Sequence, residues 1–213
     1  VGRINLLVKS AILHDIGALK LQQLPDAEDL DDGTKEVVKK NTQETLARYG
    51  DLDEEVLRLI AQMQELYTRE SDAEIPAGLK ESVNANILYV ADAYDRMTAM
   101  KSFEEPTSEV KAVRELLADE ERYNKKIVNA LIHGISILYP GVCVELSNGE
   151  KGLVITGNEE NIFEPTVLDF RNNNLYDLSD PSVKQTVEIA DVMKTMDNRI
   201  KLDKSLLEEY QAN

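Results

Sequence analysis

The hydrophobic positions in the first two thirds of the chain recur at the spacing of amphipathic helices. Apolar residues three or four positions apart share one face of a helix, because an α-helix turns once in about 3.6 residues. Gly17 and Gly50 are suited to end helices, and Ser82, Ser108 and Asn124 are typical N-cap residues. The pattern predicts a first helix ending at Gly17 and later helices over residues 34–49, 53–67, 82–100, 108–119 and 124–138.

The pattern changes to alternation after Tyr139-Pro140-Gly141. Val142, Val144 and Leu146 are separated by single residues, which is the two-residue period of a strand. Asn148-Gly149 is a strong signal for a hairpin turn. Further strands are predicted at 152–156, 166–170, 175–178 and 183–189, and a short helix is predicted at 204–210.

These two patterns predict a mainly α fold with two domains. We expect a helical domain over residues 1–138 and a β-rich C-terminal extension with a short terminal helix over residues 139–213. The 42% hydrophobic content is enough to form a core. We find no apolar run of about 18 residues, so no membrane segment is expected. Cys143 is the single cysteine, which excludes an internal disulfide and fits a reducing cytoplasm.

The chain is strongly acidic, with a net charge of −16. Such a surface repels nucleic-acid backbones and anionic lipid, so we expect neither as a partner. Lys35, Lys39, Lys40 and Arg48 recur along one predicted helix. They can form either a local anion site or a solvated face with glutamate partners, and the solvated face is the favoured interpretation.

The first group with metal-binding chemistry is His14-Asp15. A histidine nitrogen and a carboxylate oxygen together suit a divalent metal. Adjacent side chains on a helix diverge by about 100°, so the two converge only if the helix ends there and the backbone turns. The alternative is a helix-end or core histidine whose ring is satisfied by the backbone.

Asp92 follows the apolar run at residues 87–91, which is predicted to be fully buried. A carboxylate on a buried helix is costly unless it is paired or bound to a metal. The alternative is a hydrogen bond between helices. His133 is interpreted as a structural or surface histidine.

Segments that contain these residues resemble the HD-GYP branch of the HD metal-dependent phosphohydrolases. His14-Asp15-Ile16-Gly17 is similar to the HD signature, and residues 90–98 resemble the later aspartate helix of that branch. Lys101-Ser102-Phe103 stands where the branch usually has Arg-Pro-Tyr, and residues 139–150 resemble the strand and turn that close many such domains. The resemblance implies an HD-type helical bundle whose first helix would lie upstream of residue 1.

HD-GYP proteins are mostly bacterial phosphodiesterases that hydrolyse cyclic di-GMP with two or three Fe or Mn ions. The resemblance therefore implies that His14, Asp15 and Asp92 are metal ligands and that Lys101 is a candidate phosphate contact. The family also has a lysine directly after the glycine of the HD signature. Ala18 stands there in this chain, so that phosphate contact is lost.

Most metal-binding histidines of the family are missing from this chain. Residues 37–43 contain no histidine, and Gln62-Met63-Gln64-Glu65 stands where the family has His-His-Glu. His14 and His133 are the two histidines in the whole chain, and a multinuclear Fe or Mn site needs more nitrogen ligands than these. We therefore expect one divalent metal (Fe, Mn, Ni or Zn) or none.

The departures favour a degenerate HD-GYP signalling or interaction module of a cyclic di-nucleotide pathway, without phosphodiesterase activity. Its expected partners are another protein or an upstream regulatory domain, together with a cyclic di-nucleotide. The first alternative is an active metal-dependent phosphohydrolase that cleaves cyclic di-GMP or another phosphoester. The second alternative is a scaffold in which His14 and Asp15 only stabilise a helix end.

Overall fold

The computed structural model describes residues 2–21, 31–49, 51–68, 74–100 and 105–193. The fold is mainly α, with a small antiparallel sheet at its C-terminal end, and this confirms the predicted fold class. The elements in chain order are α1 (Gly2–Leu13), a 3₁₀ helix (Ile16–Lys20), α2 (Asp32–Ala47), α3 (Glu54–Tyr67), α4 (Ala77–Lys80), α5 (Val83–Thr98), α6 (Glu109–Ala118), α7 (Lys125–Ile135), β1 (Cys143–Leu146), β2 (Lys151–Thr156), β3 (Thr166–Asp169), β4 (Leu175–Asp177), α8 (Pro181–Lys184) and β5 (Ile189–Val192).

The chain divides into two compact units. The helical unit consists of Val1–Thr107 and Glu115–Val128, and the sheet unit consists of Ser108–Arg114 and Asn129–Asn213. The division passes through α6 and α7. The predicted domain boundary at residue 139 stays a prediction.

In the helical unit, α3 packs against both α1 and α5. Its buried positions recur with each turn of the helix, so they form one continuous face. They are Val56, Leu59, Ile60, Met63, Gln64 and Leu66. Leu6, Leu13 and Ile16 pack against the cluster of Val56, Ile60 and Leu46. The segment that carries His14-Asp15 is therefore anchored in part by α3.

The predicted first helix is present, but it ends at Leu13, and several of its apolar side chains are exposed. Ile4 is 66% exposed, Val8 is 50% exposed and Ile12 is 69% exposed. The fully buried residue of α1 is instead the polar Ser10. The apolar spacing therefore identified the helix correctly without identifying the face that packs.

The prediction of a fully buried run at residues 87–91 of α5 is wrong. Leu88, Tyr89 and Val90 are buried, whereas Ile87 is partly exposed and Ala91 is exposed. Each residue of a helix is rotated by about 100° from the last, so five consecutive residues cannot all face one core.

Two of the three predicted N-cap residues make a capping hydrogen bond. Ser108 Oγ accepts a hydrogen bond from the backbone nitrogen of Lys111, and Asn124 Oδ1 accepts one from Lys126. Ser82 occupies the N-cap position of α5 as predicted but makes no capping hydrogen bond, and its hydroxyl donates to Gln62 Oε1.

The sheet unit contains an antiparallel sheet with strand order β4-β3-β2-β1-β5. The predicted Asn148-Gly149 turn joins β1 to β2, and Gly149 has a φ of 83°, in the left-handed region that favours glycine. The predicted strand at 183–189 is wrong, because its first residues lie in α8 and β5 begins at Ile189. Asp180 caps α8 by accepting from the backbone nitrogen of Ser182, and Pro181 favours a helix start.

The predicted helix at 204–210 lies outside the described residues. Within the described ranges, no helix has both the length and the apolar character needed to cross a membrane.

Candidate functional site

The backbone turns immediately after α1, and Gly17 fixes where the turn lies. Its backbone nitrogen donates to Thr42 Oγ1 of α2 over 3.0 Å. A Cβ at this position would lie 2.2 Å from the carbonyl oxygen of Val38, so no other residue fits without a backbone shift. The predicted role of Gly17 as the end of α1 is therefore wrong. The helix ends at Leu13, and Gly17 is required for the close approach to α2.

Gln64 of α3 holds the backbone of the same turn. Its Nε2 donates to the carbonyl oxygen of His14 over 2.9 Å. The residue is 5% exposed, and its Oε1 is buried with no hydrogen-bond partner among the described residues. His14 is thus fixed through its main chain by a side chain from a different helix.

The imidazole of His14 bridges the end of α1 and the middle of α5. Its Nδ1 lies 2.7 Å from the carbonyl oxygen of Ala11, and a carbonyl only accepts, so Nδ1 carries the proton. Its Nε2 lies 3.5 Å from Asp92 Oδ1. The alternative predicted for His14, a ring satisfied by the backbone, is present in the contact with Ala11. The alternative predicted for Asp92, a contact between helices, is present in its approach to His14.

Asp92 is neutralised by a second cation on its own helix. Arg96 Nε lies 2.9 Å from Asp92 Oδ2, one helical turn away, and the Asp92 side chain is 19% exposed. The guanidinium of Arg96 also lies over the Tyr67 ring, 4.5 Å from its centre, which is a favourable cation–π distance. Both oxygens of Asp92 therefore face a protein cation or the His14 ring.

The surroundings of His14 favour its charged form. Burial lowers its pKa, but the hydrogen bonds with Asp92 and the Ala11 carbonyl, and the charge of Asp15, raise it by more. The net result is a pKa above the usual 6.5. Protonation at Nε2 then gives Asp92 Oδ1 a charged hydrogen-bond donor.

The structure brings His14 together with Asp92, but not with Asp15. The Asp15 side chain is 63% exposed, and its Oδ1 lies 4.0 Å from His14 Nδ1, the nitrogen that faces away from Asp92. Lys101 lies outside the described residues. His133 is exposed on α7, in the sheet unit.

The described side chains do not complete a metal centre. Divalent metals in proteins take four or more donors, whereas only His14 Nε2 and Asp92 Oδ1 face each other here. No group of three or more His, Cys, Asp or Glu residues within the described ranges is placed to hold a metal ion. The assignment of His14, Asp15 and Asp92 as metal ligands stays a prediction.

Two residues of this site, Arg96 and Gln64, were not identified from the sequence. The Arg96 contact has a local signal, because an acid and a base four positions apart on a helix are neighbours. Gln64 lies in the stretch that stands where the family has His-His-Glu, but its contact with His14 depends on how α3 packs against α1.

Comparison with protein-family models finds an HD domain over residues 2–97. Comparisons with curated proteins and with solved structures give no match. The matched segment contains His14, Asp92, Arg96 and Gln64, so it includes every residue of the geometry described above. The match supports placing the segment over residues 2–97 in the HD superfamily.

Proposed function

We propose that the HD domain is a degenerate HD-GYP-like module that serves signalling or protein interaction in a cyclic di-nucleotide pathway and lacks phosphodiesterase activity. The single observation that carries the proposal is the pairing of Asp92 with Arg96 and His14. A carboxylate that ligates a catalytic metal must offer an oxygen to the ion, and here both oxygens are engaged by groups of the protein.

Charge competition is the physical reason that this pairing opposes metal binding. A divalent ion at Asp92 would have to approach the Arg96 guanidinium, and like charges in a partly buried site repel strongly. It would also have to displace a proton from His14, whose raised pKa makes that displacement harder.

The proposed partners are a protein or a regulatory domain, and a cyclic di-nucleotide. Lys101 remains the proposed phosphate contact for that ligand. We also propose a cytoplasmic location, with the functional helical domain spanning residues 1–138.

The alternative proposal, an active metal-dependent phosphohydrolase, has one favourable observation. A metal-binding histidine typically donates its other ring nitrogen to a carbonyl or carboxylate, and His14 Nδ1 donates in this way to Ala11. Gln64 Oε1 is a buried acceptor without a partner among the described residues, on the side chain that also holds the His14 backbone. In this case His14, Asp15 and Asp92 would hold one Fe, Mn, Ni or Zn ion.

Metal analysis and a turnover assay on the full chain separate the two proposals. The protein is incubated anaerobically with Fe²⁺ or Mn²⁺, desalted and analysed for metal, and cyclic di-GMP hydrolysis is followed by chromatography. We expect less than stoichiometric metal and no hydrolysis. One bound metal and turnover, both lost in His14→Ala and Asp92→Asn but kept in His133→Ala, would overturn the degenerate assignment.

Calorimetry with cyclic di-GMP tests the pathway assignment separately. Saturable heat would support a module that still recognises the nucleotide. Absence of heat would overturn the nucleotide part of the proposal.

A further inference from the structure

A cavity lined by several charged side chains lies in the helical unit, where the loop between α6 and α7 meets the segment before α5. It has a volume of about 260 Å³. Its lining contains more cations than carboxylates, which is unusual in a chain with a net charge of −16. The charged lining residues are Lys80, Arg122, Lys125, Lys126, Glu120 and Glu121.

Arg122 is the fixed part of this cavity. Its Nε donates to the Tyr89 hydroxyl over 2.8 Å, and Tyr89 is 2% exposed. Tyr89 in turn stacks on Tyr123, with 5.4 Å between the ring centres. The guanidinium is therefore oriented by a buried aromatic pair, and its two terminal nitrogens have no hydrogen-bond partner among the described residues.

The aromatic pair does not neutralise Arg122. Burial, with a smaller contribution from Tyr89, raises the pKa of Tyr123 to about 12, so its phenol stays uncharged at neutral pH. Glu120 forms an ion pair with Lys125, whereas Lys80 and Lys126 are exposed and have no ion-pair partner in the described ranges. The net charge available to a ligand is positive.

We propose that this cavity binds a small anion that carries phosphate groups, with Arg122 as its oriented contact and Lys80 and Lys126 at its rim. A guanidinium with two free nitrogens matches two oxygens of one phosphate, whereas lysines add charge without fixed geometry. The site uses none of His14, Asp15, Asp92 and Arg96, so it goes beyond the proposed function. Asn124 already caps the first turn of α7, so the side chains carry the binding.

Calorimetry with inorganic pyrophosphate, in low salt and with a chelator present, tests the proposal on the full chain. We expect saturable one-site binding that weakens as salt is added. Arg122→Gln should raise Kd about tenfold or more, because it removes charged hydrogen bonds. Lys126→Gln should raise it about two- to fivefold. Arg58→Gln is the matched control, because Arg58 is exposed on α3 and outside the cavity.

Three results would overturn the proposal. They are no heat with millimolar pyrophosphate, an equal loss of affinity in Arg58→Gln, and equally tight binding of citrate, which would remove the phosphate assignment. Circular dichroism checks that Arg122→Gln folds. If it does not, a Lys80→Gln, Lys126→Gln double variant with unchanged Kd contradicts the site. His14→Ala should leave binding intact, so this test is independent of the HD site.

Discussion

Asp92 in the helical unit and Asp191 in the sheet unit are both largely buried carboxylates that face a cation, and the two differ in where the cation comes from. In the helical unit, Asp92 is 19% exposed and pairs with Arg96 of the same helix. In the sheet unit, Asp191 of β5 is 16% exposed and pairs with Lys111, which is 80 positions away in the sequence, at 2.9 Å. One carboxylate is compensated locally, and the other only by the tertiary fold.

This difference gives the proposed metal-free HD site its physical basis. Arg96 lies beside Asp92 whenever α5 forms, so the buried charge does not depend on an ion from solution. The contact with His14 then adds a link between α1 and α5. Asp191 shows the opposite case, in which the pair exists only after distant segments have packed.

The largest expected effect comes from Gly17→Ala, which disrupts the turn that presents His14 to Asp92. The new Cβ would lie 2.2 Å from a backbone oxygen, which cannot rotate away as a side chain would. We expect urea denaturation to show a loss of about 3 kcal/mol or more in the free energy of unfolding. Gly134→Ala is the control, because nothing lies within 4 Å of its Cβ. A loss below about 1 kcal/mol for Gly17→Ala would show that the turn is not fixed there.

Asp92→Asn tests the local pair against the distant one. The amide leaves the charges of Arg96 and His14 uncompensated, and we expect a loss of about 2 kcal/mol in the free energy of unfolding. Asp191→Asn should cost about 1 kcal/mol or less, because Lys111 is 62% exposed and solvent screens the pair. Urea denaturation at neutral pH measures both variants, and equal losses would contradict the contrast drawn above.

The pH dependence of stability should separate the units further, beginning with His14. Its folded-state pKa is raised above 6.5, so its contribution is complete below about pH 6.5 and is lost as the pH rises through the folded value. We expect the free energy of unfolding of the wild type to fall over that range and His14→Ala to flatten the fall. His133→Ala is the matched control and should keep it. If the free energy of unfolding of His14→Ala still fell over that range, the fall would belong to another titrating group.

Asp191 should change the stability of the protein at acid pH. Burial raises its pKa, but hydrogen bonds from Ser108 and Lys111 lower it by more, to a value below 3.8. Its contribution is therefore present above about pH 3.8 and is lost as the pH falls through the folded value. Asp191→Asn should reduce the loss of stability in acid, measured by urea denaturation across that range. An acid limb identical to that of the wild type would contradict the assignment.

The smallest effect is expected for a solvent-exposed ion pair, which serves as the reference for the two partly buried pairs. Lys9 and Asp53 lie 3.0 Å apart, but their side chains are 55% and 66% exposed. A double-mutant cycle with Lys9→Met and Asp53→Asn should give a coupling of about 0.5 kcal/mol or less. A coupling as large as the cost of Asp92→Asn would mean that burial does not explain the difference between the pairs.

Local signals in the sequence predicted most of the fold. Helix spacing, the Ser108 and Asn124 caps and the Asn148-Gly149 turn are each encoded within a few residues, and each is present in the structure. The predictions that failed depended on packing. The exposure of Ile12 and Ala91 reflects which side of a helix has neighbours, and spacing alone does not contain that information.

The site was predictable in part for the same reason. His14 and Asp92 were identified from residue type and context, and they lie close together. Gln64 and Gly17 act through contacts between helices that are distant in the sequence, so their roles required the fold. Arg96 had a local signal in its four-residue spacing from Asp92, which is the spacing of an ion pair on one helix.

The most direct test of the central claim, that protein cations occupy the position of the metal at Asp92, is Mn²⁺ binding followed by electron paramagnetic resonance. Free Mn²⁺ gives a sharp signal that disappears when the ion is bound. The account predicts that equimolar protein leaves this signal unchanged at neutral pH. Loss of the signal in the wild type and in His133→Ala, with recovery in both His14→Ala and Asp92→Asn, would contradict it.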